Sequence, residues 1–144
     1  MIRNPDFANH VRAIFAQTPF VNHLGIQVDS VAEGVCESSL TVAPHQLQQD
    51  GFVHAGVLAT IADHTAGGAA ATLLAADQGV LSIEFKVNLL RPARGARLQC
   101  KATVLKAGKT LSVVEAEVFS IESGAPILAV KATVTLAVVP WRPK

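Results

Sequence analysis

Between His54 and Leu74 the chain reads HAGVLATIADHTAGGAAATLL. Small apolar residues fill the segment, and Asp63 and His64 break it near the middle. The apolar run, Ala55 to Ala76, is long enough to cross a bilayer. Two titratable side chains, Gly67, Gly68 and a predominance of Ala over Leu argue against a membrane helix. The remaining reading is a helix that begins after His54, fades by about Asp77 and stops at Gly79, buried inside a protein. That choice constrains everything else, because the rest of the chain must enclose it. A carboxylate in such a helix is costly unless something pairs with it. Asp63 is therefore either a structural acid, satisfied by backbone amides or by Thr60, or a functional one.

The enclosing surface is spelled out downstream. In VLSIEFKVNLL, residues 80–90, the odd positions Leu81, Ile83, Phe85, Val87 and Leu89 are apolar. The even positions Ser82, Glu84, Lys86 and Asn88 are polar, which is the period of a strand with one buried face. Arg97 to Lys106 alternates likewise, with Leu98, Cys100, Ala102 and Val104 on one side. Ile127 to Val139 aligns Leu128, Val130, Ala132, Val134, Leu136 and Val138, and Leu111 to Ile121 is strand-like by composition. Gly95, AGKT at 107–110 and SGAP at 123–126 supply the turns. Upstream, Leu24 to Ser30 and Val35 to Val42 are two further strand candidates, with Gly34 turning between them. Residues 4–17 read as an N-terminal helix. Asn4 caps it, Pro5 takes the first position, Phe7, Val11, Ile14 and Phe15 share a face, and Pro19 ends it. Antiparallel strands with one apolar face need a cover, and only the central segment is hydrophobic enough. The expected fold is α+β: one long helix wrapped by a curved antiparallel sheet, with a helix at the N-terminus.

Half of the 144 residues are hydrophobic and 16% are charged. A small soluble monomer normally carries more charge, so the surplus apolar surface implies a subunit interface or a lipid-like ligand. A net charge of +1 with no dense Lys/Arg patch gives no nucleic-acid footprint. Cys36 and Cys100 form no CxxC pair and stand near no ligand-spaced histidines, so no metal site is expected. Two free, buried thiols in a reducing cytoplasm are expected instead, and no signal-peptide pattern opens the chain. No repeat, linker or low-complexity segment divides residues 1–144, which read as a single domain.

Several chemistries fail on their motifs. There is no G-x-S-x-G elbow and no G-x-G-x-x-G. GKT at 108–110 lacks the earlier glycine of a phosphate loop, because position 103 is Thr, so it reads as a hairpin turn. The entrance to the central helix is more informative. After His54-Ala55-Gly56 the first-turn amides have no intrahelical partners and carry partial positive charge, which suits a developing oxyanion. Asp63 lies about two turns further on, too far to act on the same carbonyl. An antiparallel second copy of the helix brings the two together, and Ala59, Thr60, Ala66, Gly67 and Ala70 around Asp63 are small enough for close approach. His64 points about 100° away from Asp63 and suits structure or an interface. His54 is a proton-transfer residue or a loop histidine bonded to nearby backbone. His10, His23 and His45 have no evident partners.

LGIQV, QQDGFVHAGVLATIADHTAGGAA, LSIEFKVNLLRPARG and KAGKTLSVVEAEV together resemble a hotdog-fold acyl-CoA thioesterase of the PaaI-like, phenylacetate-pathway branch. The resemblance covers about residues 24–139. It implies subunits paired so that their sheets join, as a homodimer or homotetramer. It implies that Asp63 is the catalytic carboxylate, that the Ala55 amide is the oxyanion donor beside His54 and Gly56, and that Ser82 is the active-site serine of the following strand. It also implies coenzyme A phosphates met by strand-end basic residues, for which Arg91, Arg94, Lys106 and Lys109 are the candidates. Two positions depart from the pattern. The usual His-Gly-Gly is His54-Ala55-Gly56, where Ala narrows the allowed backbone. The usual Asn six residues before the His is Gln48, with Gln49 next to it.

The expected activity is cytoplasmic hydrolysis of an acyl-CoA to free acid and coenzyme A, with Asp63 as nucleophile or general base. No cofactor is expected, since coenzyme A belongs to the substrate. Neither nucleic acid nor membrane is expected as a partner. With aromatic residues at 5% and no Tyr, a medium to long aliphatic chain fits better than a hydroxylated ring. Phe7, Val11, Ile14 and Phe15 of the N-terminal helix offer the tail a cover. The alternatives are an acyl-thioester hydratase or dehydratase, which needs His54 to face Asp63, and a non-catalytic acyl-CoA-binding module.

Overall fold

The computed structural model describes residues 3–141. Helices α1 (Phe7–Gln17) and α2 (Pro19–Leu24) lead into strands β1 (Gln27–Ala32) and β2 (Val35–Thr41). A short 3₁₀ turn (Pro44–Gln46) precedes helix α3 (Ala55–Ala71). Strands β3 (Gln78–Leu89), β4 (Arg97–Ala107), β5 (Leu111–Ile121) and β6 (Ile127–Pro140) complete the chain. The strands form one sheet in the order β1-β2-β4-β5-β6-β3, every pair antiparallel.

Helix α3 packs against all six strands. Six strands at about 4.8 Å spacing are wider than a helix of roughly 10–12 Å diameter. A helix that touches all of them therefore requires the sheet to curl around it. The alanine-rich sequence suits this in two ways: Ala has the highest helix propensity, and its short side chain lets the helix sink close to the sheet. The strand faces expected to be apolar in β4 and β6 do meet the helix, with Leu98, Cys100, Ala102, Val130, Val134 and Leu136 all buried. Both cysteines are free and buried, and burial pushes each thiol up to about 12. The turns at 107–110 and 123–126 lie where expected, with Gly124 at a positive φ of 94°.

Four boundaries differ from expectation. Asn4 does not cap α1. Its side chain accepts from the Asp6 amide at 3.0 Å in a tight turn, and α1 begins one turn later, after Asp6. Pro19 ends α1 but also starts α2, at the first helical position where its missing N–H costs nothing. Residues 19–24 are therefore helical, Leu24 ends this helix instead of starting a strand, and β1 starts at Gln27. The central helix stops at Ala71 rather than near Asp77, because the buried Thr72 hydroxyl donates to the Ala69 carbonyl at 2.7 Å and accepts from the Gly34 amide at 2.8 Å. Gly79 is then a residue of β3 rather than a helix stop, and the Trp141 ring packs over it.

The most consequential difference is in β3. Ser82 pairs with Leu136 but Glu84 pairs with the adjacent Thr135, so Ile83 is an extra residue in the ladder. Leu136 and Val134 face the helix, and opposed residues of a ladder share a face. Ser82, opposite Leu136, and Phe85, opposite Val134, therefore both turn inward, while Leu81 and Ile83 do not. Leu81 is 62% and Ile83 57% exposed, so the strict alternation read across this segment does not mark one buried face. β3 is also a long outer edge of the sheet, with Phe85 and Leu89 largely exposed as well.

Candidate active site

Backbone strain plays no part at the start of α3. His54 is the N-cap, with φ −62° and ψ 138°, and its Nδ1 accepts from the Gly56 amide at 2.9 Å. An amide can only donate, so Nδ1 is unprotonated and the proton resides on Nε2. Of the two expectations for His54, this is the loop histidine bonded to nearby backbone, and it takes the cap position usually held by Ser, Thr, Asp or Asn. The Gly56 amide is thereby occupied, while the Ala55 amide has no acceptor among the described residues. Ala55 is already helical, and among the described residues only glycines have positive φ, so alanine in place of the family's glycine costs nothing here.

His54 and Gly56, on either side of Ala55, border an open cleft of about 470 Å³. Phe20 and Leu24 of α2, Leu47 of the loop and Val57 of α3 form its apolar walls. His45, Gln46, His54 and Thr60 supply its polar atoms. The Gln46 side chain is buried, accepts from the Ala43 amide at 2.9 Å and donates to the Leu24 carbonyl at 2.7 Å, which ties α2 to the loop. His45 meets His23 of α2 at 5.8 Å between ring centroids.

Asp63 is half-buried on the flank of α3 toward β3, where Ser82 Oγ donates to its Oδ1 at 2.6 Å. The inward turn of Ser82 follows from the extra residue Ile83, since uninterrupted alternation would not place Ser82 and Phe85 on one face. Asp63 and Ala55 are eight residues apart, about 12 Å along the axis, so one chain does not bring them to one carbonyl. Ala59, Thr60 and Gly67 are half-buried beside Asp63, whereas Ala66 and Ala70 are sealed in the core. His64 packs edge-on against Phe15, with ring centroids 4.5 Å apart. Its buried Nε2 has no partner among the described residues, and burial lowers its pKa despite the nearby Asp63 carboxylate.

The other candidate residues separate into groups. Gln48 Oε1 accepts from the Asp50 and Phe52 amides and holds its own turn together. Arg91 donates to the Leu128 carbonyl at 2.9 Å, and Arg94 lies 4.3 Å over the Phe52 ring. The Val53 amide donates to the Ala93 carbonyl, so both arginines sit at the α3-start end. Lys106 and Lys109 flank Ala107 and Gly108, which line a smaller cavity with Leu73 and Leu74 past the other end of α3. That end is about 25 Å from His54 for a helix of 17 residues. In α1, Val11 and Phe15 are core residues rather than a cover, and both would crowd a Cβ at Gly68. The cleft is walled by α2 instead. Among the described residues no cluster of three or more His, Cys, Asp or Glu could hold a metal ion, and no helix is long and apolar enough to cross a membrane.

The profile of the Thioesterase superfamily matches residues 50–127. A thioesterase family protein from Silicibacter pomeroyi superposes with a TM-score of 0.91 at 36% identity, covering 93% of this chain and 98% of that one. The 1,4-dihydroxy-2-naphthoyl-CoA hydrolase of Listeria monocytogenes is 28% identical over 66% of this chain and 77% of its own length. The E. coli PaaI protein shares the fold, with a TM-score of 0.80 at 19% identity over 92% of this chain and 93% of that one.

Proposed function

The chain belongs to the Thioesterase superfamily and is a thioester hydrolase, and we propose that it hydrolyses acyl-CoA at sites shared between two copies. One observation carries the reading: a free amide at Ala55 and a serine-bound carboxylate at Asp63 lie too far apart on one helix to serve one carbonyl. The long edge β3, with Leu81, Ile83 and Phe85 exposed, supports pairing with its own copy. Such pairing sets the two α3 helices antiparallel along the seam of Ala59, Thr60 and Gly67.

In that arrangement the thioester oxygen accepts from the Ala55 amide of one copy, aided by the positive end of α3. Asp63 of the other copy, oriented by Ser82, activates a water or attacks directly. The C–S bond breaks and coenzyme A leaves as its thiolate; on the water route Asp63 takes the water's proton and the acid is released, and on the direct route a water then hydrolyses the anhydride between the acyl group and Asp63. His54 acts by shaping the helix start, because its Nδ1 is committed to the Gly56 amide. The naphthoyl-CoA activity of the Listeria relative supports coenzyme A as the handle. The scarcity of aromatic residues supports an aliphatic acyl group.

The test uses two inactive variants. Ala55→Pro removes the amide at a first helical position, where proline is favoured, and His54 already has the extended backbone a following proline requires. Asp63→Asn removes the base. Each alone is expected to be folded and inactive. Mixed assemblies of the two contain one site with both defects and one site with neither, so activity returns on mixing and subunit exchange. Failure of correctly mixed assemblies to recover activity would overturn the shared site.

A further inference from the structure

The cleft at the start of α3 has a wall that the core does not need. Phe20 is 58% exposed, yet the helix that carries it is fixed from several sides. Pro19 starts α2, and Gly25 ends it at a positive φ of 78°. Val21 and Leu24 anchor it in the core. Gln46 ties its last carbonyl, and the Asn22 side chain donates to the Ala16 carbonyl at 2.7 Å. A lone exposed phenylalanine needs no explanation. This one stands on a pinned six-residue helix, with Leu24, Leu47 and Val57 around the same cleft, at the α3 entrance where the Ala55 amide has no acceptor among the described residues.

We propose that Phe20 is the specificity-determining residue for the acyl group, its ring forming the wall against which the tail lies and so setting the preferred chain length. The proposal rests on the acyl-CoA reading above and adds which end of the substrate this cleft takes. The lining decides between the two ends. Among the described residues no Lys, Arg, Asp or Glu borders the cleft, so it offers the phosphates of a nucleotide handle no permanently charged side chain. Arg91 and Arg94 lie instead with the Leu128 carbonyl and the Phe52 ring, outside the lining. An apolar tail gains free energy on such walls roughly in proportion to the area it buries.

Binding tests the assignment without depending on turnover. S-alkyl-CoA thioethers, which cannot be hydrolysed, are titrated into the intact protein in a series from ethyl to dodecyl. In the wild type, affinity is expected to rise by about fourfold per methylene until the cleft is filled. Phe20→Ala, which touches an exposed side chain, should leave S-ethyl-CoA binding unchanged and cut S-octyl-CoA binding on the order of tenfold. Phe20→Trp should move the plateau to shorter chains. An equal loss at every length, or an unchanged slope in both variants, overturns the assignment. So does a loss that follows the handle, seen when the same alkyl series is carried on coenzyme A but not on N-acetylcysteamine. Failure of the wild type to hydrolyse any acyl-CoA while the slope still depends on Phe20 would instead sink the catalytic reading alone.

Discussion

The two halves of α3 have opposite characters. From Ala55 to His64 one flank is left open by the chain's own fold: a free amide, a histidine cap, a half-buried carboxylate and a seam of small residues. From Thr65 to Ala71 the helix is enclosed, and Gly67 alone escapes full burial. At Gly68 the fit is so close that an added Cβ would lie 3.0 Å from Cys36 Sγ and 3.1 Å from the Phe15 ring. The same alanine-rich composition therefore does two jobs. In the second half small side chains let the sheet close on the helix, and in the first they leave room for something outside the chain. Composition alone does not distinguish these jobs; the partners of each side chain do.

If the halves are truly distinct, lesions in the first should remove activity and spare stability, and lesions in the second should do the reverse. The largest effect is expected for Asp63→Asn. The carboxamide still accepts from Ser82 but cannot act as a base, so turnover should fall about 10²–10⁴-fold with an unchanged melting curve. Normal turnover by the folded variant would return Asp63 to a structural role. Next is Gly68→Leu, which overpacks the second half and should cost about 1–3 kcal/mol in denaturant melts. Activity per folded molecule should persist, and a stable but inactive variant would break the division.

His64 sits at the boundary and predicts a pH dependence. Burial lowers its pKa from the ordinary 6.5, so the unfolded chain binds this proton more readily than the folded one. Its contribution to stability is fully present above pH 6.5 and is lost as pH falls through the lowered folded value. Replacement by Leu should flatten that acid limb of a stability–pH curve, and an identical limb in wild type and variant would locate the titration elsewhere. The smallest effect is expected at the rim. Arg94→Ala should raise KM for acyl-CoA about two- to fivefold and leave kcat nearly unchanged. A thioester without the nucleotide should not register the change. Lys109→Ala makes a comparison from the far end of the helix, where any contact with the same handle requires the partner subunit's turn. A larger effect from Lys109 than from Arg94 would mean that the handle crosses the interface.

Much of this was legible in the sequence for identifiable reasons. Alternation survived in β4 from Leu98 to Val104 and in β6 from Val130 to Val138, because those strands are internal and see the helix there, whereas an extra residue at Ala129 shifts Leu128 off that face. The helix start and Asp63 stood out because charge in an apolar run has few explanations. Elsewhere one residue served two purposes. Pro19 closes one helix and opens the next, so a stop signal concealed α2. Gln46, Gln48 and Gln49 look alike in HQLQQD, yet only Gln46 is buried with both ends of its carboxamide bonded. Nothing local singles it out, since the Leu24 carbonyl it meets is 22 residues away. The amphipathic spacing of Val11 and Phe15 suits a cover for the cleft, but the same spacing equally describes residues that seal the core.

Ile83 has a further consequence for how chains of this kind are aligned with one another. Leu136 and Thr135 are consecutive, and Ser82 and Glu84 oppose them. Excising Ile83 would therefore make the ladder regular while leaving every other side chain of β3 on its present face. In the language of insertions and deletions, the position is a neutral gap. A relative shorter by this one residue would present the same serine to the same carboxylate, although its hydrophobic pattern would read one step out of phase.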